Sequence, residues 1–205
     1  WPLQHTEYKP YFLHSNGQAN SANGDGVLSE DRPGDEPTDD FEYDPDDPVP
    51  THGGQSMFPT NTGPKDRKGL EERDDILVYT TPVLETGLEV TGPIELRLFA
   101  ESSTPDTDFT ATLVDVHPGG AAIHITEGIV RARFRESFEN PTLIELGEIV
   151  EYRFALWETS NFFKPGHKIR LEISSSNFPR FDRNLNTGTT PGLDDKKQVA
   201  HQTVY

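Results

Sequence analysis

Apolar and polar residues alternate along most of the last two thirds of the chain, and this period of two predicts β-strands. In the clearest stretch Ile169, Leu171 and Ile173 share one face, whereas Arg170 and Glu172 share the other. Successive side chains of a strand point to opposite sides of a sheet, so this pattern is typical of a strand with one buried and one solvated face. The pattern recurs in several segments, and it predicts a sheet protein rather than a helical one.

Turn residues divide the alternating region into about eight or nine short strands. Spacings of 8–12 residues between turns are typical of a sandwich or jelly roll. The Pro165-Gly166 turn predicts that residues 152–157 and 169–176 are neighbouring strands of one sheet. No apolar spacing supports a helix longer than about two turns. The sequence therefore predicts an all-β jelly-roll sandwich with strands at residues 76–84, 88–90, 93–100, 108–117, 121–125, 128–135, 148–157, 169–176 and 198–205.

Residues 1–75 have no such period and are rich in proline, glycine and acidic side chains. Proline at this density excludes a helix or a central strand. A short strand is predicted at residues 6–13, and the alternation of Phe41 and Tyr43 favours a brief pairing with a sheet edge. We interpret residues 1–75 as an extended arm lying over another surface, and residues 76–205 as the jelly roll, because a structureless loop this long is improbable inside a self-contained domain.

Composition excludes several classes of function. The net charge of -17 argues against a nucleic-acid partner, since phosphates would be repelled. The absence of cysteine excludes disulfides and thiolate metal sites. No apolar run approaches the length of a membrane span and no signal peptide is recognisable, so we expect a soluble protein with no membrane partner and favour the cytoplasm, although the compartment stays open.

A catalytic serine of the hydrolase type requires a G-x-S-x-G elbow between a strand and a helix. The nearest match is Gly54-Gln55-Ser56-Met57-Phe58, which lacks the second glycine and is followed by no helical pattern. His52 lies close in sequence, but sequence proximity is not triad geometry. We therefore predict no catalytic residue in this chain.

Metal binding has one weak candidate. Asp44, Asp46 and Asp47 supply carboxylates at a spacing that loosely resembles a calcium loop, but the glycine and the final glutamate of an EF-hand are missing. The histidines are scattered without an H-x-x-x-H pair, and His117 and His201 are interpreted as structural. We predict no cofactor and favour a solvated acidic arm over bound calcium.

A row of arginines lies on one face of the strand predicted at residues 128–135. It consists of Arg131, Arg133 and Arg135, which favour either an anion site or, more simply, a solvent face paired with acids such as Glu95. Exposed pairs of this kind contribute little to stability.

A densely specified loop follows the strand at residues 169–176. Asparagine and aspartate side chains bond their own backbone, proline fixes φ, and phenylalanines anchor the segment. We expect a fixed conformation, used for packing or for contact with a partner. This signature loop consists of Asn177, Phe178, Pro179, Arg180, Phe181, Asp182, Arg183, Asn184 and Asn186.

Five long motifs together resemble one family. They are E-x-R-D-D-I-L-V-Y-T (71–80), L-E-V-T-G-P (88–93), D-T-D-F-T-A-T-L-V-D-V-H-P (106–118), E-G-I-V-R-A-R-F-R-E (127–136) and S-S-S-N-F-P-R-F-D-R-N-L-N-T-G (174–188). In this order they resemble the C-terminal part of the CocE/NonD serine hydrolases, which include cocaine esterase-like enzymes, α-amino-acid ester hydrolases, acylases and X-Pro dipeptidyl-peptidases.

The resemblance implies a galactose-binding-like jelly roll that serves an α/β-hydrolase catalytic domain of the same parent protein. It implies that the catalytic serine, aspartate and histidine lie upstream of this chain, and that the jelly roll lacks its last strand. The arm would then pack on the sandwich or on the catalytic domain. By the same resemblance, Met57 and Phe58, which follow Gly53-Gly54, correspond to an apolar pair that lines the acyl pocket. The simpler alternative is that this pair plugs the arm onto the sandwich.

Two rival functions stay open from the sequence. Exposed aromatic side chains on a sandwich would favour a carbohydrate-binding module; the candidates are Trp157, Phe162, Phe163, Phe178 and Phe181. A purely structural dimerisation domain is the other, and a homo-oligomer is a predicted partner state that sedimentation at several concentrations would test.

Overall fold

The computed structural model describes residues 3–56, 61–193 and 195–205. These residues contain ten strands, and one short 3-10 helix, Ala132–Phe134, follows the seventh. The strands are β1 (Phe12–His14), β2 (Val27–Ser29), β3 (Asp39–Tyr43), β4 (Leu77–Thr80), β5 (Leu88–Ser102), β6 (Asp108–Val116), β7 (Ala122–Arg131), β8 (Val150–Phe163), β9 (Lys168–Ser174) and β10 (Ala200–Val204).

The strands form two sheets. One has six strands in the order β1-β2-β4-β9-β6-β7, and the other has four in the order β3-β10-β5-β8. All neighbours are antiparallel except β2 and β4. The prediction of an all-β sandwich is thereby confirmed. The described residues include no helix that is long and apolar enough to cross a membrane.

The main core lies between the two sheets. Odd-numbered residues of β6, such as Phe109, face even-numbered residues of β8, such as Tyr152, and their ring centroids are 4.8 Å apart. Leu98 on β5 and Ile173 on β9 are buried in the same cluster. Burying each such side chain contributes about 1.5–3 kcal/mol, so this interior is the main source of stability.

The predicted pairing of the strands around Pro165-Gly166 is wrong. β8 belongs to the four-stranded sheet, whereas β9 lies between β4 and β6 in the other. The turn therefore carries the chain across the sandwich rather than along one sheet. Alternation gives the buried face of a strand but not its partner, so this error could not be detected from the pattern alone.

Two pairs of predicted strands are single strands in the structure. β5 covers both 88–90 and 93–100, and its register with β8 shifts between Pro93 and Glu95. Proline is tolerated at such a bulge, and the other side of β5 pairs with β10 only at residues 100–102, which leaves Pro93 on a free edge. β7 likewise joins 121–125 to the start of 128–135 and ends at Arg131.

The residues before Ile76 supply β1, β2 and β3. β1 is shorter than the strand predicted at 6–13 and starts only at Phe12. The pairing predicted from Phe41 and Tyr43 is confirmed, since β3 lies beside β10 and both side chains are buried. The division of the chain into an arm and a jelly roll at residue 75 stays a prediction.

The outer face of the six-stranded sheet is covered rather than solvated. Val49, Ile76 and Val78 form a second apolar cluster there, with Leu70 packed against it. Every residue of β6 is buried as a result. The prediction that Glu172 points to solvent is therefore wrong, because residues 49–76 lie over that side of the sheet and only 3% of Glu172 is exposed.

Candidate functional site

The loop that carries residues 55–62 is closed at its base by a two-residue bridge. Gly54 and Gly63 exchange both backbone hydrogen bonds, each with an N–O distance of 2.9 Å. We call this Gly54–Gly63 bridge the neck. Asn61 reinforces it, since its side chain accepts from the amide of Gly53 (3.1 Å) and donates to the carbonyl of Thr51 (2.5 Å). The predicted pocket residues Met57 and Phe58 belong to this loop but lie outside the described residues.

A buried polar cluster lies beneath the neck. Glu127 on β7 accepts a hydrogen bond at Oε2 from Asn177 Nδ2 (2.6 Å), and His124 Nε2 lies 3.3 Å from the same oxygen. Arg180 Nε is 2.9 Å from Glu127 Oε1, close enough for an ion pair although the atoms are not aligned for a hydrogen bond. A Cβ on Gly54 would lie 2.4 Å from Glu127 Oε1. Only glycine fits where the neck meets this cluster.

The carboxylate of Glu127 is ionised although it is buried. Burial raises the pKa of Glu127, but hydrogen bonding and charge from His124, the charge of Arg180 and the Asn177 amide outweigh it, and the pKa lies below its usual value. A carboxylate so stabilised is charged at neutral pH and fixes the side chains around it. The surface beneath the neck is therefore ionised and held by several contacts.

A cleft of about 300 Å³ opens beside the neck. Its lining includes Gly54 and Gly63 of the neck, His124 and Glu127 of β7, and Ser160 of β8. The loop of residues 55–62 thus starts and ends at the edge of a concave surface.

The first half of the signature loop clamps residues 49–51. Phe178 donates its amide to the carbonyl of Val49 (2.9 Å) and accepts from the amide of Thr51 (2.7 Å). The Arg180 amide donates to the Thr51 hydroxyl (3.0 Å). Pro179 follows a cis peptide bond. The segment leading into the neck is therefore bound edge to edge to the signature loop.

The second half of the signature loop is joined to the start of β6. Asn184 donates to Asp106 (3.0 Å) and to Asp108 (2.8 Å), both fully buried. Arg131 forms a two-pronged pair with Asp108 at 2.8 and 3.0 Å, and Arg133 donates to Asp106 at 2.8 Å. These contacts confine the loop to one conformation at that end of the sheet.

The other signature residues pack on these contacts. Arg180 lies over the ring of Phe181 at 5.0 Å, and Arg183 lies over the ring of Phe178 at 5.2 Å. Asn186 is buried with φ of 61°. The Asp182 carbonyl accepts from an arginine of β7.

The interpretation of the arginine row as a solvent face is wrong. The side chains of Arg131 and Arg133 are mostly buried in the pairs just described. Arg135 donates to the backbone carbonyls of Ala132 and Thr142. The strand ends at Arg131 and turns into the 3-10 helix, so the three guanidinium groups do not form one exposed row.

The calcium candidates have partners within the chain. Asp44 Oδ1 accepts from the amide of Asp46 (2.8 Å), which is a turn contact. Asp46 pairs with Lys197, and Asp47 Oδ2 lies 3.2 Å from Arg73. The expectation that this acidic segment is solvated rather than bound to calcium stays a prediction.

The aromatic candidates divide into two groups. Trp157 and Phe162 on β8 are more than half exposed, at 54% and 55%, and Phe178 is exposed at 38%. Phe163 is buried in the core. Trp157 lies on the outward face set by the alternation of β8, as Arg153 and Ala155 do, and its φ is 64°.

One cluster was missed because the histidines were treated as scattered. Among the described residues, Asp115, His117 and His167 bring one potential metal-ligand atom each within 4.8 Å of the others. The sequence signal was the D-x-H spacing on a predicted strand, which places both side chains on one face.

Known proteins resemble this chain over nearly its full length. The family model of the X-Pro dipeptidyl-peptidase C-terminal non-catalytic domain matches residues 1–205. A cocaine esterase from Rhodococcus sp. (strain MB1 Bresler) is 52% identical over 189 residues, which make up 92% of this chain and 33% of that protein.

Two solved structures share the fold. An α-amino acid ester hydrolase labelled with selenomethionine superposes with a TM-score of 0.79 and 27% identity, over 96% of this chain and 34% of that one. An aminopeptidase from a marine sediment archaeon, Thaumarchaeota archaeon, gives a TM-score of 0.78 and 28% identity over 97% and 35%. The chain spans about a third of the length of the relatives it matches.

Proposed function

The chain belongs to the X-Pro dipeptidyl-peptidase C-terminal non-catalytic domain family of CocE/NonD-type hydrolases, and we propose that it braces the catalytic domain of its parent protein and presents Met57 and Phe58 to that domain's substrate pocket. The parent would be an ester or amide hydrolase with an α/β-hydrolase domain. This domain would act by shape, supplying an apolar wall rather than a reacting group.

The closed neck carries the proposal. Gly54 and Gly63 pin both ends of the loop with two backbone hydrogen bonds. Glu127 and its partners fix the surface directly beneath. A pocket wall has to be pre-organised, since a misplacement of about 1 Å reduces catalysis markedly. Fixed loop ends above a buried ionised cluster support that requirement.

Bracing is supported by the N-terminal residues that the sandwich leaves uncovered. Tyr11 packs against the main core, whereas Tyr8 is 70% exposed and Leu3 is 51% exposed. Exposed apolar side chains close together in sequence favour a contact with a further surface. In the parent protein that surface would be the catalytic domain.

The pocket assignment is tested in the full-length parent protein. Replacing Met57 and Phe58 together by alanine should lower kcat/KM for esters with bulky acyl groups by roughly 10-fold or more, because each lost apolar contact in a pocket costs about 1–3 kcal/mol. Esters with small acyl groups should be much less affected. The matched control is Phe138→Ala, which truncates an aromatic side chain that is 86% exposed elsewhere.

The two parts of the proposal give separable results. If the double variant and the control have the same acyl preference, the pocket role is wrong, whatever the domain does for stability. If the isolated chain hydrolyses p-nitrophenyl esters and Ser56→Ala abolishes this activity, the accessory role is wrong as a whole.

A carbohydrate-binding module is the second candidate, and the exposure of Trp157 and Phe162 favours it. Aromatic rings at the surface of a sandwich provide stacking platforms for sugars. The chain should then be retained on a polysaccharide resin, and Trp157→Ala should release it. Passage through the resin without retention would remove this candidate.

A further inference from the structure

We propose that Asp115, His117 and His167 form a binding site for Zn²⁺ at one end of the sandwich. The three side chains are the cluster of potential ligands found among the described residues. The site does not rest on the proposed function, because none of its residues takes part in the neck, the Glu127 cluster or the signature loop.

The strand register brings the three residues together. β6 and β9 are antiparallel neighbours with Val116 opposite Lys168, so the next position along each strand places His117 beside His167. Asp115 is two residues before His117 and therefore shares its face. Cross-strand neighbours on one face have Cβ atoms about 5 Å apart, which is within the span of one metal ion and its ligands.

Two turns fix the ends of the strands at this point. His117 donates its amide to Ala121 (2.8 Å) and accepts from the amide of Gly120 (2.8 Å). His167 accepts from the amide of Leu84 through its carbonyl, also at 2.8 Å. The backbone of both histidines is therefore held, and only the side chains need to adjust to an ion.

The distances suit a divalent ion of this size. His167 Nδ1 lies 2.8 Å from Asp115 Oδ1, and His117 Nε2 lies 3.7 Å from Asp115 Oδ2. Zinc–ligand bonds of about 2.0–2.2 Å in tetrahedral geometry place ligand atoms roughly 3.4 Å apart. The two separations from Asp115, one from each carboxylate oxygen, lie on either side of that value. The two imidazole rings are already adjacent, with centroids 4.4 Å apart.

Burial gives the site a closed side and an open side. The side chains of Asp115 and His167 are 10% and 11% exposed, whereas His117 is 43% exposed. The exposed ring is the one with freedom to close on the ion. Three protein ligands with access to solvent leave room for water as a fourth ligand, as in zinc sites that keep an open position.

The donor set selects the class of metal. Imidazole nitrogens suit zinc and other late first-row ions, whereas magnesium and calcium prefer all-oxygen sites. One carboxylate and two neutral imidazoles also leave the bound ion with a net positive charge. We therefore expect Zn²⁺ and Co²⁺ to bind, and Mg²⁺ and Ca²⁺ to bind far more weakly.

Calorimetric titration of the 205-residue chain with Zn²⁺ tests the site. One ion per chain should bind, and His117→Ala should weaken binding by more than about 100-fold, because even second-shell changes cost 10–100-fold. His117 is partly exposed, so this variant should stay folded, which circular dichroism would verify. With Co²⁺, the visible absorption of a protein-bound ion should appear in the wild type and be lost in His117→Ala.

The matched control is His201→Ala. His201 Nδ1 lies 3.4 Å from Glu42 Oε2, and both side chains are more than half exposed. This pair offers a histidine and a carboxylate at the surface, and no third potential ligand joins it among the described residues. Zinc binding should be unchanged in this variant. If wild type binds no Zn²⁺, or if His117→Ala and His201→Ala bind it alike, the three residues are a hydrogen-bonded contact between two turns and the proposal is wrong.

Discussion

Replacing Gly54 by alanine should destabilise the domain more than the same change at Gly63. Both residues have positive φ, 74° and 77°, and they are partners in one bridge. An alanine at positive φ costs about 1–2 kcal/mol at either position. Among the residues that the structure describes, none has an atom within 4 Å of a Cβ at Gly63, whereas at Gly54 that Cβ would lie 2.4 Å from Glu127 Oε1 and 2.9 Å from His124 Cε1.

The difference between the two variants measures how firmly Glu127 is held. Its carboxylate would have to move away from Asn177, and a buried hydrogen bond to a charged group contributes about 1.5–3 kcal/mol. Gly54→Ala should therefore lower the free energy of unfolding by about 1.5–3 kcal/mol more than Gly63→Ala does. For a domain of this size each kcal/mol corresponds to about 2–4 °C in Tm.

Urea denaturation followed by circular dichroism provides the comparison. The slope m should be the same in both variants and in wild type, so the midpoints can be compared directly. Equal losses of stability at Gly54 and Gly63 would mean that Glu127 moves aside at no cost. The interpretation that Glu127 is held rigidly beneath the neck would then be refuted.

Three further predictions concern buried charge. Arg67→Met should lower the free energy of unfolding by about 3–5 kcal/mol, because it leaves buried Glu172 without its two-pronged partner. The control is Arg97→Met, which removes an exposed pair and should cost less than about 1 kcal/mol. Equal losses of stability in thermal unfolding would contradict this prediction. Burial and the charge of Glu172 raise the pKa of Glu71 to about 7, against the opposing charges of two arginines. Since this pKa is raised, its contribution to stability is present below about pH 4.5 and is lost as pH rises through 7. The urea midpoint of wild type minus that of Glu71→Gln should therefore fall as pH rises through that window. A rise in this difference would contradict the prediction. For Glu127→Gln the pH dependence should be opposite. The lowered pKa of Glu127 contributes stability above about pH 4.5, and this contribution is lost as pH falls through the pKa of the folded state. The urea midpoint of wild type relative to this variant should therefore fall as the solution is made more acidic.

The sequence predicted the fold class because alternation is a local signal. The pattern of Ile169, Leu171 and Ile173 identified the core face of β9, and all three residues are buried. The partner of that strand depends on where the chain goes after each turn, which no local pattern records. This is why β8 and β9 were placed in one sheet although they lie in opposite layers.

Buried polar groups were the other source of error. Glu172 and Arg133 occupy polar positions of alternating strands, and each was expected to reach solvent. Both are buried because a distant segment supplies the opposite charge. Arg67 pairs with Glu172, and Asp106 pairs with Arg133. A charged residue is rarely buried unless it is paired, and the pair becomes recognisable only once the two segments are together in space.

The site shows the same division between local and distant information. The signature loop was recognised from its asparagines, its proline and its phenylalanines, which are signals within the segment itself. The role of Glu127 was not recognised, because nothing in its own strand distinguishes it from a solvated glutamate. Its importance comes from Asn177, Arg180 and Gly54, which reach it from two other parts of the chain.

The position of β10 between β3 and β5 governs the order in which the molecule can assemble. β3 is made well before β10, its hydrogen-bonding partner, which lies at the far end of the described residues. Until β10 emerges from the ribosome, Phe41 and Tyr43 have no completed sheet to join, and an unpaired strand is prone to association with other chains. Contacts so distant in sequence also slow folding, because a long loop must close before they form. The acidic and proline-rich residues around β3 are well suited to keep that waiting strand in solution.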